Sequence, residues 1–319
     1  MNRTIAPVSN SSNQLTTKLI NSLVNGLLGI KPLAAFAKYQ ARSMMIKRAE
    51  KIGVPWTERV KELGQLNWDG YLQQVQNLEL KYPEYYVRSF HAYEEGNLSW
   101  QAAWEVEVAA KAVHAGIWQG GGKEGDGRLR DSYHDLLLAH IPQTPGAIVD
   151  LGCSVGMSTT ALQATYPHAK ITGVDLSPYF LAVAAYNADQ RGNGTEPKAQ
   201  WVHGAAEETG LPSGSCDLVS IFLMCHELPQ AATFQIFQEA RRLLRPQGHI
   251  AIMDMNPQST IYAQMPPYIL TLLKSTEPYL DQYFSLDITE TLVKAGFQAP
   301  VIIPNTLRHR TIISQIAEN

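Results

Sequence analysis

Apolar and polar positions change period along the chain. From Leu15 to Ile52 the period is helical. Leu19, Ile20, Leu23, Leu27 and Leu28 recur at three- and four-residue steps, which predicts an amphipathic helix. Pro32 divides this stretch in two, because a proline inside a helix removes a hydrogen bond and clashes with the preceding turn. The second helix carries Leu33, Phe36, Tyr39, Met44 and Met45 on its apolar side. Residues 53–98 read as short helices between turns at Pro55, Gly64, Asn67, Gly70 and Pro83. Ser99 then caps a run of helix formers from Ala102 to Ala115. Trp100, Trp104, Val108 and Val113 are its candidate buried positions. The glycine cluster Gly120–Gly127 reads as a linker, and Arg130–His140 as a further helix.

Beyond residue 146 the pattern shortens. Ala147–Leu151 is an apolar, β-branched run and predicts a buried strand. Gly152 and Gly156 mark a tight turn, and residues 157–166 resume at helical spacing with Met157, Leu162 and Tyr166 apolar. Strands follow at Ala169–Val174, Trp201–Gly204, Cys216–Phe222 and Leu244–Asp254, with a last one around His309. Strand and helix alternate, so an α/β sheet is expected, with its ligand site at the carboxyl ends of the strands. Glycine in the first turn lets the backbone approach that ligand where a Cβ would clash. Asp175 ends the second strand, where a carboxylate suits the two ribose hydroxyls of a nucleoside.

A dinucleotide fingerprint would need glycines at 152, 154 and 157, but the chain has Ser154 and Met157. A phosphate-binding P-loop is excluded too, because no Gly-Lys-Ser/Thr follows. The pattern Asp150-x-Gly152-x-x-x-Gly156 instead resembles motif I of the class I S-adenosylmethionine (SAM) methyltransferases. The order and spacing of the later strands extend the resemblance over residues 129–319. It implies a Rossmann-like seven-stranded methyltransferase sheet with helices on both faces, preceded here by an α-helical N-terminal region. It also implies SAM as cofactor and S-adenosylhomocysteine as product. By that resemblance Asp150 faces the methionine end of SAM, Gly152 and Gly156 flank its ribose, and Leu176 lies beside the adenine. Ser154, Asp175, Ser177, Ala206, Glu207 and Leu223 complete the cofactor-binding set. Two positions depart from the family. Ser154 stands where a glycine is common, which a negative φ would allow. Gly204-Ala205-Ala206-Glu207 stands where the family reads Gly-Asp-Ala-Glu. Ala205 has no acceptor for the adenine amine, so either Glu207 substitutes or the backbone at Ala205 and Ala206 serves. Met224-Cys225-His226-Glu227-Leu228-Pro229 ends the fourth strand, a point that in the family lies beside the transferred methyl. His226 and Glu227 are therefore the candidate catalytic residues, with His226 either moving a proton or only shaping the pocket.

Composition narrows this picture. Formal charge is only −3, so no nucleic acid or strongly charged partner is implied. Cys153, Cys216 and Cys225 have no CxxC spacing, which points to reduced thiols and a cytoplasmic setting. No apolar run reaches the ~18–20 residues of a membrane span, and the first residues lack the apolar core of a secretory signal. No His/Asp/Glu group has metal spacing along the chain, so no metal is expected. Before Glu50 every charged side chain is basic: Arg3, Lys18, Lys31, Lys38, Arg42, Lys47 and Arg48. Such a helix packs on the catalytic domain with its lysines in water, or lies peripherally on an anionic membrane. The domain reading is a disordered tail (1–14), a helical extension covering the substrate (15–119), a linker (120–128) and the methyltransferase domain (129–319). The aromatic segment from Tyr82 to Tyr93 is either core or a substrate-facing wall. The extension supplies Trp, Tyr, Phe and Met rather than a basic groove. A small, fairly apolar organic acceptor follows, methylated on O or C: an aromatic, quinol or polyketide-like compound. The alternative is a non-catalytic SAM-binding or membrane-associated interaction protein. Oligomeric state is left open.

Overall fold

The computed structural model describes residues 31–88, 93, 95–191 and 199–318. The tail and the helix expected before Pro32 lie outside the described residues. Helix α1 (Lys31–Lys51) begins beside Pro32 rather than being broken by it, since a proline in a first turn has no hydrogen bond to lose. There follow α2 (Trp56–Gly64), α3 (Asp69–Val75), α4 (Trp100–His114) and α5 (Gly125–His140). Ser99 caps α4, its side chain accepting from Ala102 N at 3.2 Å.

Seven strands form one sheet: β1 (Ala147–Leu151), β2 (Lys170–Asp175), β3 (Gln200–His203), β4 (Cys216–Phe222), β5 (Leu244–Met255), β6 (Val301–Pro304) and β7 (His309–Gln315). Their order is β3-β2-β1-β4-β5-β7-β6. The first five are parallel and β7 is antiparallel to both of its neighbours. Helices α6 (Met157–Thr165), α7 (Pro178–Arg191), α8 (Gln230–Leu243), α9 (Thr260–Ala263), α10 (Pro267–Thr276), α11 (Leu280–Ser285) and α12 (Ile288–Lys294) complete the chain. Alternate residues of a strand face opposite ways. Ile148, Ile171, Leu218 and Met253 therefore meet Leu129, Tyr133 and Leu137 of α5 and Leu162 of α6. Val149, Val219, Ile221, Ile250 and Ile252 meet Ile236, Phe237, Ala240 and Leu243 of α8 on the other face. Strand order reverses between β1 and β4, and a sheet opens its ligand crevice at such a switch. The turns that follow these two strands lie side by side there.

The N-terminal helices pack on α7 and on the turn after β1. Leu63, Trp68, Val75, Ala102 and Ala103 pack with Cys153, Val155, Phe180, Leu181 and Val183. Helix α1 turns Met45, Ile46 and Ala49, with Ile52 just beyond it, onto Trp56, Val108 and Ala112. Arg42 of α1 also donates from Nε to the buried Glu105 at 3.0 Å. Val113, expected to be buried, is 48% exposed. The buried stripe of α4 runs through Ala102, Glu105, Val108 and Ala112, and one further residue turns 100° off that face.

The glycine cluster is not a free tether. Residues Gly122–Glu124 form a 3-10 turn and α5 starts at Gly125. A Cβ at Gly125 would lie 2.3 Å from the His114 carbonyl oxygen, so this glycine serves close packing rather than flexibility. Asp126 is buried between His114 Nδ1 at 2.7 Å and Arg130 Nε at 3.0 Å. Burial alone would raise its carboxyl, but Arg130 and His114 hold it well below the ordinary value. The His114–Asp126 hydrogen bond thereby ties α4 to α5.

Candidate active site

The turn after β1 is built by exclusion. Gly152 and Gly156 have φ of +71° and +78°. A Cβ on Gly152 would sit 2.3 Å from Met224 Sδ, and one on Gly156 would sit 2.7 Å from the Trp201 ring. Gly152 N and Cys153 N both donate to Val174 O, at 2.8 and 3.1 Å, tying the turn to β2. Ser154 adopts φ +51°, not the negative value expected, and its buried Oγ has no hydrogen-bond partner.

Two buried carboxylates flank this turn. Asp150 is 0% exposed. Its Oδ2 accepts from Ser158 Oγ at 2.7 Å and Thr159 Oγ1 at 2.6 Å, while its Oδ1 is buried with no partner. Burial lifts Asp150 to about 6 against those two hydroxyls. Asp175 accepts from Ser154 N and Ser177 N, each at 2.8 Å. Burial lifts it to about 6 as well. Ser177 is fully buried and donates from Oγ to Asn97 O at 2.7 Å. Leu176 and Ala206 are buried beside it, and Glu207 accepts both its bonds from Tyr85 Oη, at 2.7 and 2.9 Å.

The second half of the crevice follows β4. Leu223 has φ +55° and donates from its backbone to Met253 O at 2.8 Å. That strained turn carries Met224 onto Gly152 and sends His226 toward the end of β5. There His226 Nδ1 meets Asp254 Oδ1 at 2.7 Å, and its backbone N–H donates to Asp254 Oδ2 at 3.2 Å. Burial pushes the imidazole down, but the Asp254 carboxylate, with Glu227 and Glu277 nearby, lifts it to about 10. His226 is therefore an imidazolium near neutrality rather than a ready base. Glu227 Oε1 lies 4.0 Å from His226 Nε2. Glu277, on the stretch between α10 and α11, completes a group whose ligand-type atoms lie within 4.8 Å of one another. Chain spacing gave no sign of that group, because Glu277 arrives from a distant segment. Around it are Met224, Leu228, Tyr262, Tyr283 and Phe284 of the adjoining apolar cluster.

Sequence reasoning missed Asp254, Ser158, Thr159 and Tyr85. Asp254 had a readable signal, since it lies at the carboxyl end of the fifth strand as Asp175 does of the second; the structure places it one step beyond the Phe222–Met253 pairing. Tyr85 had none. The three thiols, Cys153, Cys216 and Cys225, are buried, and burial raises each above its ordinary value, so none is a poised nucleophile. Among the described residues, no helix is long and apolar enough to cross a membrane.

Residues 148–248 match the profile of a family described as "Methyltransferase domain". An uncharacterized methyltransferase of Synechocystis sp. is 28% identical over 200 residues, which cover 62% of this chain and 84% of the relative. The malonyl-[acyl-carrier protein] O-methyltransferase of Methylovorus sp. is 29% identical over 164 residues, 50% of this chain and 52% of that one. The chain thus spans most of the first relative and about half of the second. Among solved structures, a SAM-dependent methyltransferase of Methanococcus maripaludis superposes with a TM-score of 0.51 at 16% identity, over 76% of this chain and 99% of the other. That likeness is one of fold.

Proposed function

Since the chain carries a class I SAM-dependent methyltransferase domain, we propose that it transfers a methyl group from SAM to a small, fairly apolar organic acceptor, on oxygen or on an acidic carbon. The residues of the crevice fit the cofactor. The glycine turn has no room for side chains, and Asp150 keeps one buried acceptor oxygen unsatisfied, a costly state unless a donor such as the cofactor's ammonium arrives. Asp150 and Ser154 would hold the methionine end, Asp175 the ribose diol, and Leu176, Ala206 and Glu207 the adenine. Bound SAM supplies an activated methyl on a sulfonium whose leaving group is a neutral thioether. The protein is then left mainly with alignment and exclusion of water.

One observation carries the reading: Met224 abuts Gly152 while His226, two residues on, is fixed by the buried Asp254. The polar pair is thus anchored beside the cofactor turn within an apolar wall. In this proposal the imidazolium Nε2–H points an acceptor oxygen at the methyl and makes its proton easier to lose. That proton passes to the Glu227 carboxylate as the carbon–oxygen bond forms, and from there to water. The sequence left His226 either moving a proton or only shaping the pocket; its raised pKa favours a hydrogen-bond donor in this proposal. The oxygen acceptor agrees with the printed name of the Methylovorus relative.

The test combines purified protein, methyl-labelled SAM and the small-molecule fraction of a cell extract. Label is expected in an organic-extractable compound. His226→Gln should lower that transfer by about a hundredfold or more, the scale of acid–base and oriented-donor effects, with S-adenosylhomocysteine affinity retained. Loss of less than about fivefold would reduce His226 to a packing residue. Absence of any labelled product would overturn the catalytic reading.

A further inference from the structure

Glu207 stands on a turn at the carboxyl end of β3. The turn is closed by Glu208 N, which donates to Ala205 O at 3.1 Å. Just before it Gly204 N donates to Asp175 O at 3.1 Å, so the turn lies beside the end of β2. Ala205 and Ala206 are buried, Glu207 is half-buried and Glu208 is exposed. The N-terminal extension supplies the rim of this turn. Asn77 N donates to His203 Nδ1 at 2.9 Å. With Nδ1 accepting, the ring proton is on Nε2, 3.0 Å from Leu176 O and 3.2 Å from Tyr82 Oη. His203, the last residue of β3, thus ties the segment after α3 to the backbone of Leu176. Further along that segment Tyr85 Oη lies 2.7 and 2.9 Å from the two Glu207 oxygens. Tyr85 also packs against the apolar cluster on the α8 face of the sheet. Burial, with Glu207 beside it, raises the phenol above its ordinary value, so it stays protonated and donates.

We propose that Tyr85 is a positioning residue for the cofactor: it holds the Glu207 carboxylate where it accepts from the adenine amine, and so makes the site select a 6-aminopurine over a 6-oxopurine. This deepens the methyltransferase reading of the same crevice and rests on it. The argument begins from reach. Ala205, next to the strand end, has no acceptor, so the carboxylate comes from Glu207 on a longer side chain. Such a side chain has more rotamer freedom to lose when it binds. A donor that fixes it in the free protein takes that loss in folding instead of in binding. The second step is one of lone pairs. A carboxylate has about four acceptor positions and no donor. One phenolic proton shared between its two oxygens leaves lone pairs for an amine. A 6-oxo group turns its own lone pairs toward those of Glu207, and both are left unsatisfied. Such a purine does carry a donor, N1–H, one atom further round the ring. A carboxylate free to swing would accept from that instead, whereas one pinned by Tyr85 stays aimed at the exocyclic position. Selection therefore depends on the tyrosine as well as on the acid.

The experiment uses the full chain and two probes, S-adenosylhomocysteine and its 6-oxo counterpart S-inosylhomocysteine. Calorimetry measures both affinities in wild type, Tyr85→Phe and Glu207→Gln, and thermal melting checks each fold. Wild type is expected to prefer the adenosyl probe by at least about tenfold, since a site built for a donor rejects the analogue that lacks it. Tyr85→Phe keeps the packed ring and removes only the hydroxyl. It should bind the adenosyl probe about fivefold more weakly, the scale of one net hydrogen bond, and its preference should shrink at least threefold. Glu207→Gln can turn an amide N–H toward a 6-oxo group, so its preference should fall to near one. A purely structural Tyr85 would weaken both probes alike, and an unchanged preference in Tyr85→Phe therefore overturns the proposal. An unchanged preference in Glu207→Gln overturns it too, because the adenine is then read by the backbone of Ala205 and Ala206. In either case tight binding of the adenosyl probe leaves the methyltransferase reading intact. If wild type melts cooperatively yet binds neither probe, the cofactor reading fails and this proposal with it.

Discussion

Ser154 is held in a left-handed conformation at φ +51° with a buried hydroxyl that has no partner. Replacing it by glycine removes two costs and adds one. Left-handed backbone costs a residue with a Cβ about 1–2 kcal/mol. A buried, unsatisfied hydroxyl costs about 1–3 kcal/mol. Glycine returns roughly 0.5–1 kcal/mol through the greater freedom of its unfolded chain. The net expectation is that Ser154→Gly stabilises the free protein by about 1–4.5 kcal/mol. Unfolding entropy near 2 cal/mol/K per residue, over 319 residues, converts this to a rise in Tm of about 1.5–7 °C. Thermal and urea unfolding of the free protein test the sum. A lower Tm would refute the strain argument, because it would mean that the Ser154 hydroxyl contributes in the free protein. Binding gives a separate sign. If Oγ is reserved for the cofactor, the more stable variant should bind S-adenosylhomocysteine several-fold more weakly, as one net hydrogen bond of about 1 kcal/mol implies. A variant that is both more stable and equally good at binding would place Ser154 outside the cofactor set.

Other measurements bear on the remaining residues. Asp175→Ala should weaken S-adenosylhomocysteine by about tenfold or more, the loss of a charged hydrogen bond, and wild-type affinity should fall as pH drops below about 6, where Asp175 takes up a proton; unchanged affinity in calorimetry would remove the ribose assignment. The Asp254–His226 pair raises the histidine from an ordinary 6.5 to about 10, so its stabilisation is complete below about 6.5 and is lost as pH rises through about 10. His226→Gln should therefore flatten the decline of the urea midpoint across that window, and an identical decline in both proteins would contradict the raised pKa. A fragment beginning at Arg128 is expected to be insoluble, because Trp68, Ala102 and Ala103 cover Phe180, Leu181 and Val183. Losing a buried tryptophan alone costs about 3–5 kcal/mol. A soluble, cooperatively melting fragment would show that the extension is separable after all.

The arrangement of alternating strands and helices was legible because β-branched runs and glycine turns are local signals. Ile148 to Leu151 needs no partner to read as a strand. Gly152 and Gly156 read as a ligand turn because a missing Cβ has the same meaning wherever the chain goes. Asp175 was legible for the same reason, since it stands at the end of a strand whose ligand edge is set by chain direction. What lay beyond reach depended on segments far apart in sequence. Asp254 meets His226 only because β4 and β5 are neighbours in register, and that contact changes the imidazole from a neutral base into a cation. Glu277 joins them through the turn between α10 and α11, which no periodicity announces. The glycines at 120–127 read as a tether because glycine has two uses, freedom and close approach, and only the packing of Gly125 on His114 decides between them. The aromatic segment was ambiguous for a like reason. Tyrosine serves equally as core or as a hydrogen-bond donor, and the fold alone brings Tyr85 onto Glu207.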